Sequence, residues 1–168
     1  TWVDIGSAYV PSEISSAFLC AQLEELESIT KIRKAVHERY RANLTVLEEA
    51  GEMRLPFEPE DCQGNQHIFY LLLNDASTRD ALMQHLRQNG IGAVFHYVPL
   101  HTSPMGDRYG YRPGSLPVTE DISSRLLRLP LYFSMTEEEQ AQVIAAVLSF
   151  FQSTRLKPAA SCDSVPAT

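Results

Sequence analysis

The residues best suited by type and spacing to do chemistry are His96, Tyr97 and His101, in the run from Ile91 to His101. Two imidazoles and a phenol offer hydrogen-bond donors and acceptors, and imidazole titrates near neutral pH. The run reads as a strand that follows the punctuation of Gly90 and Gly92. Pro99 lacks an N–H and fixes its own φ, so the strand must leave its ladder there, and Val98 before it is held extended. The pattern predicts a rigid strand exit presenting all three groups. Strand alternation sets His96 and Val98 on one face and Tyr97 on the other, with His101 beyond the bend. Tyr97 and His101 are therefore expected to face a cleft together. The competing reading is a packed aromatic strand with two incidental histidines.

Weaker candidates lie elsewhere. His67 falls on a predicted strand with Phe69 and Leu71 on its face, where a satisfied core histidine is the alternative. Ser7 and Tyr9 belong to a segment, Gly6 to Tyr9, that precedes a helix N-terminus. Free N–H groups and the helix dipole attract anions there; a plain loop leading into the helix is the other reading. Tyr109 and Tyr111 sit in a Gly- and Pro-rich stretch, 102–118, read as a long irregular loop. Such loops are more often functional than idle.

The elements that must position these groups alternate between helix and strand. Ser12 is a predicted N-cap. Ile14, Phe18, Ala21, Leu26, Ile29, Ile32, Val36, Tyr40, Leu44 and Leu47 follow at steps of three and four, with one of five. They predict one long amphipathic helix, with room for a kink, closed by Gly51 at C′. Its polar face carries a Glu27–Lys31 pair at i,i+4. A strand over 67–73 and a helix over 78–88 capped by Ser77 come next, the helix turning Ala81, Leu82, His85 and Leu86 inward. Beyond the Ile91 strand, a helix runs from Thr119 to Leu127 and a strand from Leu129 to Phe133. Thr136 and Glu139 form a capping box for a helix to Phe151. Residues 153–168 lack apolar periodicity and are expected to be disordered. The fold class is α/β, a small α+β layer of about three strands with flanking helices.

Composition bounds the function. A net charge of −7 lacks the basic face that nucleic acid requires. No run approaches the ~18 apolar residues of a membrane span, and no secretory leader is read at the N-terminus. Cys20, Cys62 and Cys162 have no metal-ligand spacing and no metal site is expected; they read as reduced thiols of a cytoplasmic protein. Of the three lysines, Lys31 and Lys34 lie on the charged helix face and Lys157 in the tail. None suits a Schiff base, which needs a lysine whose pKa is lowered by burial or neighbouring cations.

Four stretches, in order, resemble the DegT/StrS-type sugar-nucleotide aminotransferases. They are Asp4-Ile5-Gly6-Ser7-Ala8-Tyr9 with the helix Ser12 to Leu23, Asn65-Gln66-His67-Ile68-Phe69-Tyr70, His96-Tyr97-Val98-Pro99-Leu100-His101, and Arg125-Leu126-Leu127-Arg128-Leu129-Pro130-Leu131. The similarity covers roughly residues 1–152. It implies the C-terminal portion of a pyridoxal 5′-phosphate enzyme of the aspartate-aminotransferase fold. Residues 1–20 would then start from the large cofactor-binding domain and 21–152 would form the small domain. Thr1-Trp2-Val3-Asp4 reads like the middle of a sequence, so the Schiff-base lysine and most cofactor contacts are expected upstream, with no catalytic residue in this chain. The resemblance further implies amino transfer from glutamate to a dTDP-4-keto-6-deoxyhexose, giving the 4-amino-4,6-dideoxygalactose nucleotide for a cell-surface polysaccharide, in a homodimer. Ser7 and Tyr9 would then touch the cofactor, and His67, His96, Tyr97 and His101 the sugar nucleotide. One departure stands out: the family's Asn and Arg in the first loop correspond here to Ala8 and Val10. Arg125 and Arg128 are assigned structural roles. A non-catalytic binding or dimerisation module, and a relative acting on another keto sugar nucleotide, are the other readings.

Overall fold

The first helix begins where its cap predicts. The computed structural model describes residues 9–155, and in it the Ser12 hydroxyl accepts from the Ser15 N–H at 3.2 Å, opening α1 (Glu13–Glu24). The single long helix expected from the sequence is two. Glu25, at φ −95° and ψ 6°, leaves the helical well, and α2 (Leu26–Glu49) starts beyond it. The break falls in the one five-residue step of the apolar pattern, where a continuous helix would carry the stripe off its face. The consequence is sharp. Residues Val36, His37, Tyr40, Leu44 and Leu47 of α2 are buried, whereas α1 buries nothing and leaves Ile14, Phe18, Leu19 and Leu23 in solvent. Gly51 closes α2 at φ 74°, a conformation open to glycine. The ion pair formed within α2 is Lys34–Glu38 at 3.8 Å, two turns beyond the expected Glu27–Lys31.

The sheet has four strands rather than three. Met53–Arg54 forms β1, Phe69–Leu73 β2, Val94–Phe95 β3 and Leu126–Leu129 β4, in the order β1-β2-β4-β3 with every pair antiparallel. β1 is only two residues long, too short for alternation to reveal it in sequence. β4 begins where a helical turn was expected and ends at Leu129, the first residue of the predicted strand. Leu127 and Leu129 alternate inward with Arg128 outward, and Pro130 then stops the ladder. Between β2 and β3 lies α3 (Ala76–Gln88). Its cap is Asp75 rather than Ser77: the carboxylate takes the Thr78 N–H at 2.7 Å together with the Ser77 and Thr78 hydroxyls. Those bonds hold the Asp75 carboxyl down at about 2.

The stretch expected to be irregular is partly helical. A 3₁₀ turn spans Leu100–Thr102, and α4 (Pro104–Arg108) follows, capped by Ser103. Pro117 then opens α5 (Pro117–Arg125) as an N1 proline, two residues before the expected start. The capping box at the last helix, α6 (Glu137–Arg155), forms as read. Thr136 N–H donates to Glu139 at 2.8 Å and Glu139 N–H to the Thr136 hydroxyl at 3.1 Å. This helix carries the chain to Arg155, so the start of the expected disordered tail is helical; residues 156–168 lie outside the described part.

Most of the core lies on one side of the sheet; Leu72, buried on the other, is the exception. Phe69, Leu71, Leu73, Leu127 and Leu129 point at Tyr40, Leu44, Leu82, Leu86, Val143 and Val147 of α2, α3 and α6. Tyr40 donates its hydroxyl to the Pro130 carbonyl at 2.8 Å, and Gln140 its amide to the Val36 carbonyl at 2.6 Å. The register sets Tyr70, Arg128 and Val94 directly across from one another on the opposite side. The strand exit and the candidate site residues lie on that second side.

Candidate functional site

β3 ends at Phe95, so His96, Tyr97 and Val98 are already off the ladder when they reach Pro99. The alternation expected for them therefore does not apply. The His96 and Tyr97 rings meet edge to face at 5.1 Å between centroids rather than pointing apart. Both line a groove of about 600 Å³ walled by Val98, Pro99, Val118, Ile122 and Leu126, an apolar trough between the strand exit and α5. Tyr97 is 72% exposed, so its phenol reaches into solvent at the rim. His96 is partly buried, and its Nδ1 is enclosed with no hydrogen-bond partner. A second groove, of about 420 Å³, lies across His96 and Leu126 from the first. It is lined by Phe57, Gly64, Asn65, Gln66, His67, Ile68 and Tyr70. One imidazole thus stands between two hollows, one apolar and one edged with amides.

His67 is exposed at the edge of the second groove. The strand starts two residues later than expected, so His67 is not on the core face with Phe69. Its Nδ1 bonds instead to the Asn65 side chain. Asn65 is offered in place by its neighbours: Gln66 takes φ 51°, and Glu58 collects the Gly64 N–H and the Gln66 amide. Those two bonds hold the Glu58 carboxyl below its usual range.

His101 departs from expectation most. It is 7% exposed, and its Nε2 bonds Glu120 of α5 at 2.9 Å. Glu120 also accepts the Gly114 N–H at 2.8 Å, and together these bonds hold its carboxyl below the ordinary carboxylate range. The ring lies near Tyr111. His101 therefore pins the 3₁₀ turn to α5 and the Gly114 loop, and its backbone packs on Gly106 of α4. The structure brings His96 and Tyr97 together but sets His101 behind them, as a brace rather than a companion. Of the first-loop candidates, Tyr9 is 92% exposed, and Ser7 lies outside the described residues.

A group given only a structural role by sequence stands beside this pair. The guanidinium carbon of Arg128 sits 5.6 Å from the centre of the Tyr97 ring. Register with Tyr70 and Val94 was the signal that would have put it on this face. Arg125, by contrast, is structural as read: it pairs with Asp121 at 2.8 Å and donates to the Leu73 carbonyl at 2.7 Å.

Among the described residues, no lysine stands at either groove. Lys31 and Lys34 are exposed on α2 and line neither groove, and Lys157 lies outside the described part. No group of three His, Cys, Asp or Glu among the described residues is placed to hold a metal ion, and no helix among them is long and apolar enough to cross a membrane.

A small antiparallel sheet backed by helices on one face is shared with known aminotransferases. The aminotransferase TlmJ from Streptoalloteichus hindustanus superposes with a TM-score of 0.78 at 25% identity, over 91% of this chain and 40% of that one. S. venezuelae DesV, solved with a ketimine intermediate, gives 0.72 at 30% identity over 80% and 35%. The sequence agrees. Residues 2–148 match the DegT/DnrJ/EryC1/StrS aminotransferase family, and the chain belongs to it. The chain is 32% identical over 137 residues to the dTDP-3-amino-3,4,6-trideoxy-alpha-D-glucose transaminase of Micromonospora megalomicea subsp. nigra, covering 80% of this chain and 36% of that protein. A pleiotropic regulatory protein of Geobacillus stearothermophilus is 29% identical over 141 residues, covering 83% and 37%. The chain thus spans little more than a third of the length of these relatives. The family's enzymes are pyridoxal-phosphate-dependent sugar aminotransferases, so the fold and family expected from the four ordered motifs are correct.

Proposed function

We propose that this chain is the C-terminal part of a sugar-nucleotide aminotransferase, with residues 21–152 as its small domain and 1–20 leading out of the large one. Its role is to close the substrate side of the active cleft with His96, Tyr97 and the amide-edged hollow at His67. The reaction is amino transfer from glutamate to a dTDP-4-keto-6-deoxyhexose, forming dTDP-4-amino-4,6-dideoxygalactose for a cell-surface polysaccharide. It takes place in a cytoplasmic homodimer with pyridoxal phosphate held mainly by the large domain, and Ser7 and Tyr9 approach the cofactor. The observation that carries this reading is the pairing of His96 and Tyr97 at the rim of an apolar groove on the side of the sheet the core helices leave uncovered. A sugar ring with several hydroxyls suits such a mixed wall of phenol, imidazole and apolar side chains.

The test is conversion of dTDP-4-keto-6-deoxyglucose by the protein with pyridoxal phosphate and glutamate, followed by 2-oxoglutarate release. The 3-keto isomer serves as competitor. Preferred turnover of the 4-keto sugar supports the reading; preferred turnover of the 3-keto sugar moves the site of amination. A second reading, a non-catalytic binding module, is favoured by the lack of any lysine among the described residues at the two grooves. Borohydride reduction of the full-length protein separates the two: a lysine–cofactor adduct excludes the module, and its absence together with retained sugar-nucleotide binding establishes it.

A further inference from the structure

Arg128 occupies an unusual position for a cation. It lies on β4 between Tyr70 and Val94, on the face away from the core helices, and its side chain is partly buried. Its Nε is enclosed and without a hydrogen-bond partner. No carboxylate among the described residues forms an ion pair with it. A guanidinium brings five donors in a planar fork, and enclosing one of them unmet is costly. What holds the group is the Tyr97 ring, 5.6 Å from its carbon. Tyr97 lines the apolar groove and Tyr70 the amide-edged one, so Arg128 stands beside one wall residue of each. The neighbouring His96 Nδ1 is enclosed and unmet in the same way.

We propose that Arg128 is an anion-binding residue of this site, its guanidinium steadied by Tyr97 and its free donors directed at a substrate oxyanion. The fork matches a phosphate or a carboxylate in two-point contact. The inference rests on the sugar-nucleotide reading for its ligands, which offer both: the diphosphate of the nucleotide and the carboxylates of the amino donor. An exposed ion-pairing role would want a carboxylate partner of the protein's own, and none among the described residues forms an ion pair with it.

The test compares wild type, Arg128→Met and Arg128→Lys in the whole protein, by calorimetric titration with dTDP, thymidine, inorganic pyrophosphate and glutamate. Loss of a charge-assisted contact weakens binding about tenfold or more. If the diphosphate is the anion, Arg128→Met weakens dTDP and pyrophosphate but spares thymidine and glutamate; if the carboxylate is, only glutamate weakens. Arg128→Lys recovers part of the loss, since it keeps the charge without the fork or the stack, and it also serves if the methionine variant fails to fold. Unchanged affinity for both dTDP and glutamate overturns the proposal, as does an equal loss for thymidine, which would mark a packing role. If wild type binds neither dTDP nor glutamate, the sugar-nucleotide reading falls. Pyrophosphate then decides the inference alone: Arg128-dependent binding supports it and no binding overturns it.

Discussion

Substitution of Tyr97 separates what its ring does from what its hydroxyl does. The ring touches His96 at 5.1 Å and covers Arg128 at 5.6 Å, and the hydroxyl has no partner among the described residues. Tyr97→Phe keeps both ring contacts. It should leave stability unchanged within ~0.5 kcal/mol, as for a surface change away from any special feature. If the phenol bonds substrate, the same variant loses one neutral hydrogen bond, about 0.5–1.5 kcal/mol, or roughly two- to tenfold in kcat/KM. Tyr97→Leu removes the ring as well. An aromatic pair and an exposed cation–π contact are each worth about 0.5–1 kcal/mol, so this variant should lose about 1–2 kcal/mol of stability and more activity than the phenylalanine.

Denaturant titration and steady-state kinetics on both variants provide the check. The reasoning is refuted if Tyr97→Phe loses as much stability as Tyr97→Leu, because the hydroxyl would then be a structural donor. It is refuted in the other direction if neither variant changes kcat/KM, because the rim of the groove would then be idle. A double-mutant cycle of Tyr97→Leu with Arg128→Met should show coupling, since each removes the other's partner.

Three further outcomes follow from the packing. Tyr40→Phe leaves the Pro130 carbonyl without its donor inside the core contact of α2 and should cost about 1–2 kcal/mol in denaturant unfolding. Gly106→Ala would set a Cβ 2.3 Å from the His101 carbonyl oxygen; it should cost about 1–3 kcal/mol and open the segment 100–116 to protease. Burial, aided by Arg41, lowers the pKa of His37 from 6.5. The unfolded chain therefore binds this proton first, so stability should decline as pH falls below 6.5 and level off below the folded value, and His37→Gln should abolish that phase. A second, acid phase should persist in that variant. Glu120, Glu139 and Asp75 have depressed pKa values, so what they contribute is present above about 4.5 and is lost as pH falls toward about 2, the Asp75 value.

What was legible in the sequence is what depends on neighbours along the chain. The Ser12 cap, the Gly51 stop and the Thr136–Glu139 box each involve partners within a few residues, and each forms. The Asp75 cap was there to be read as well; its carboxylate outcompetes the hydroxyl of Ser77 because a charged acceptor makes the stronger bond to the first-turn N–H groups. What was hidden depends on distant partners. β4 is a strand because Tyr70 and Leu71 across from it make it one, although its own sequence continues an amphipathic helix.

The strand exit shows the same division inside the site. That the chain leaves the sheet by Pro99 was readable, because proline acts on its own backbone. Which way the side chains point was not, because alternation holds only while a ladder holds, and the ladder ends at Phe95. Once it ends, packing decides. Glu120, nineteen residues further on, draws His101 inward, and Arg128, from a neighbouring strand, takes a place beside Tyr97. The sequence motif reads as His-Tyr-x-x-x-His, yet the spatial group is His96, Tyr97 and Arg128. If that regrouping is right, His101→Asn should behave as a brace does: stability of the 100–120 segment should fall while the affinity of the folded protein for dTDP stays near wild type. Arg128→Met should do the reverse. The opposite assignment of effects would restore His101 to the site and remove Arg128 from it.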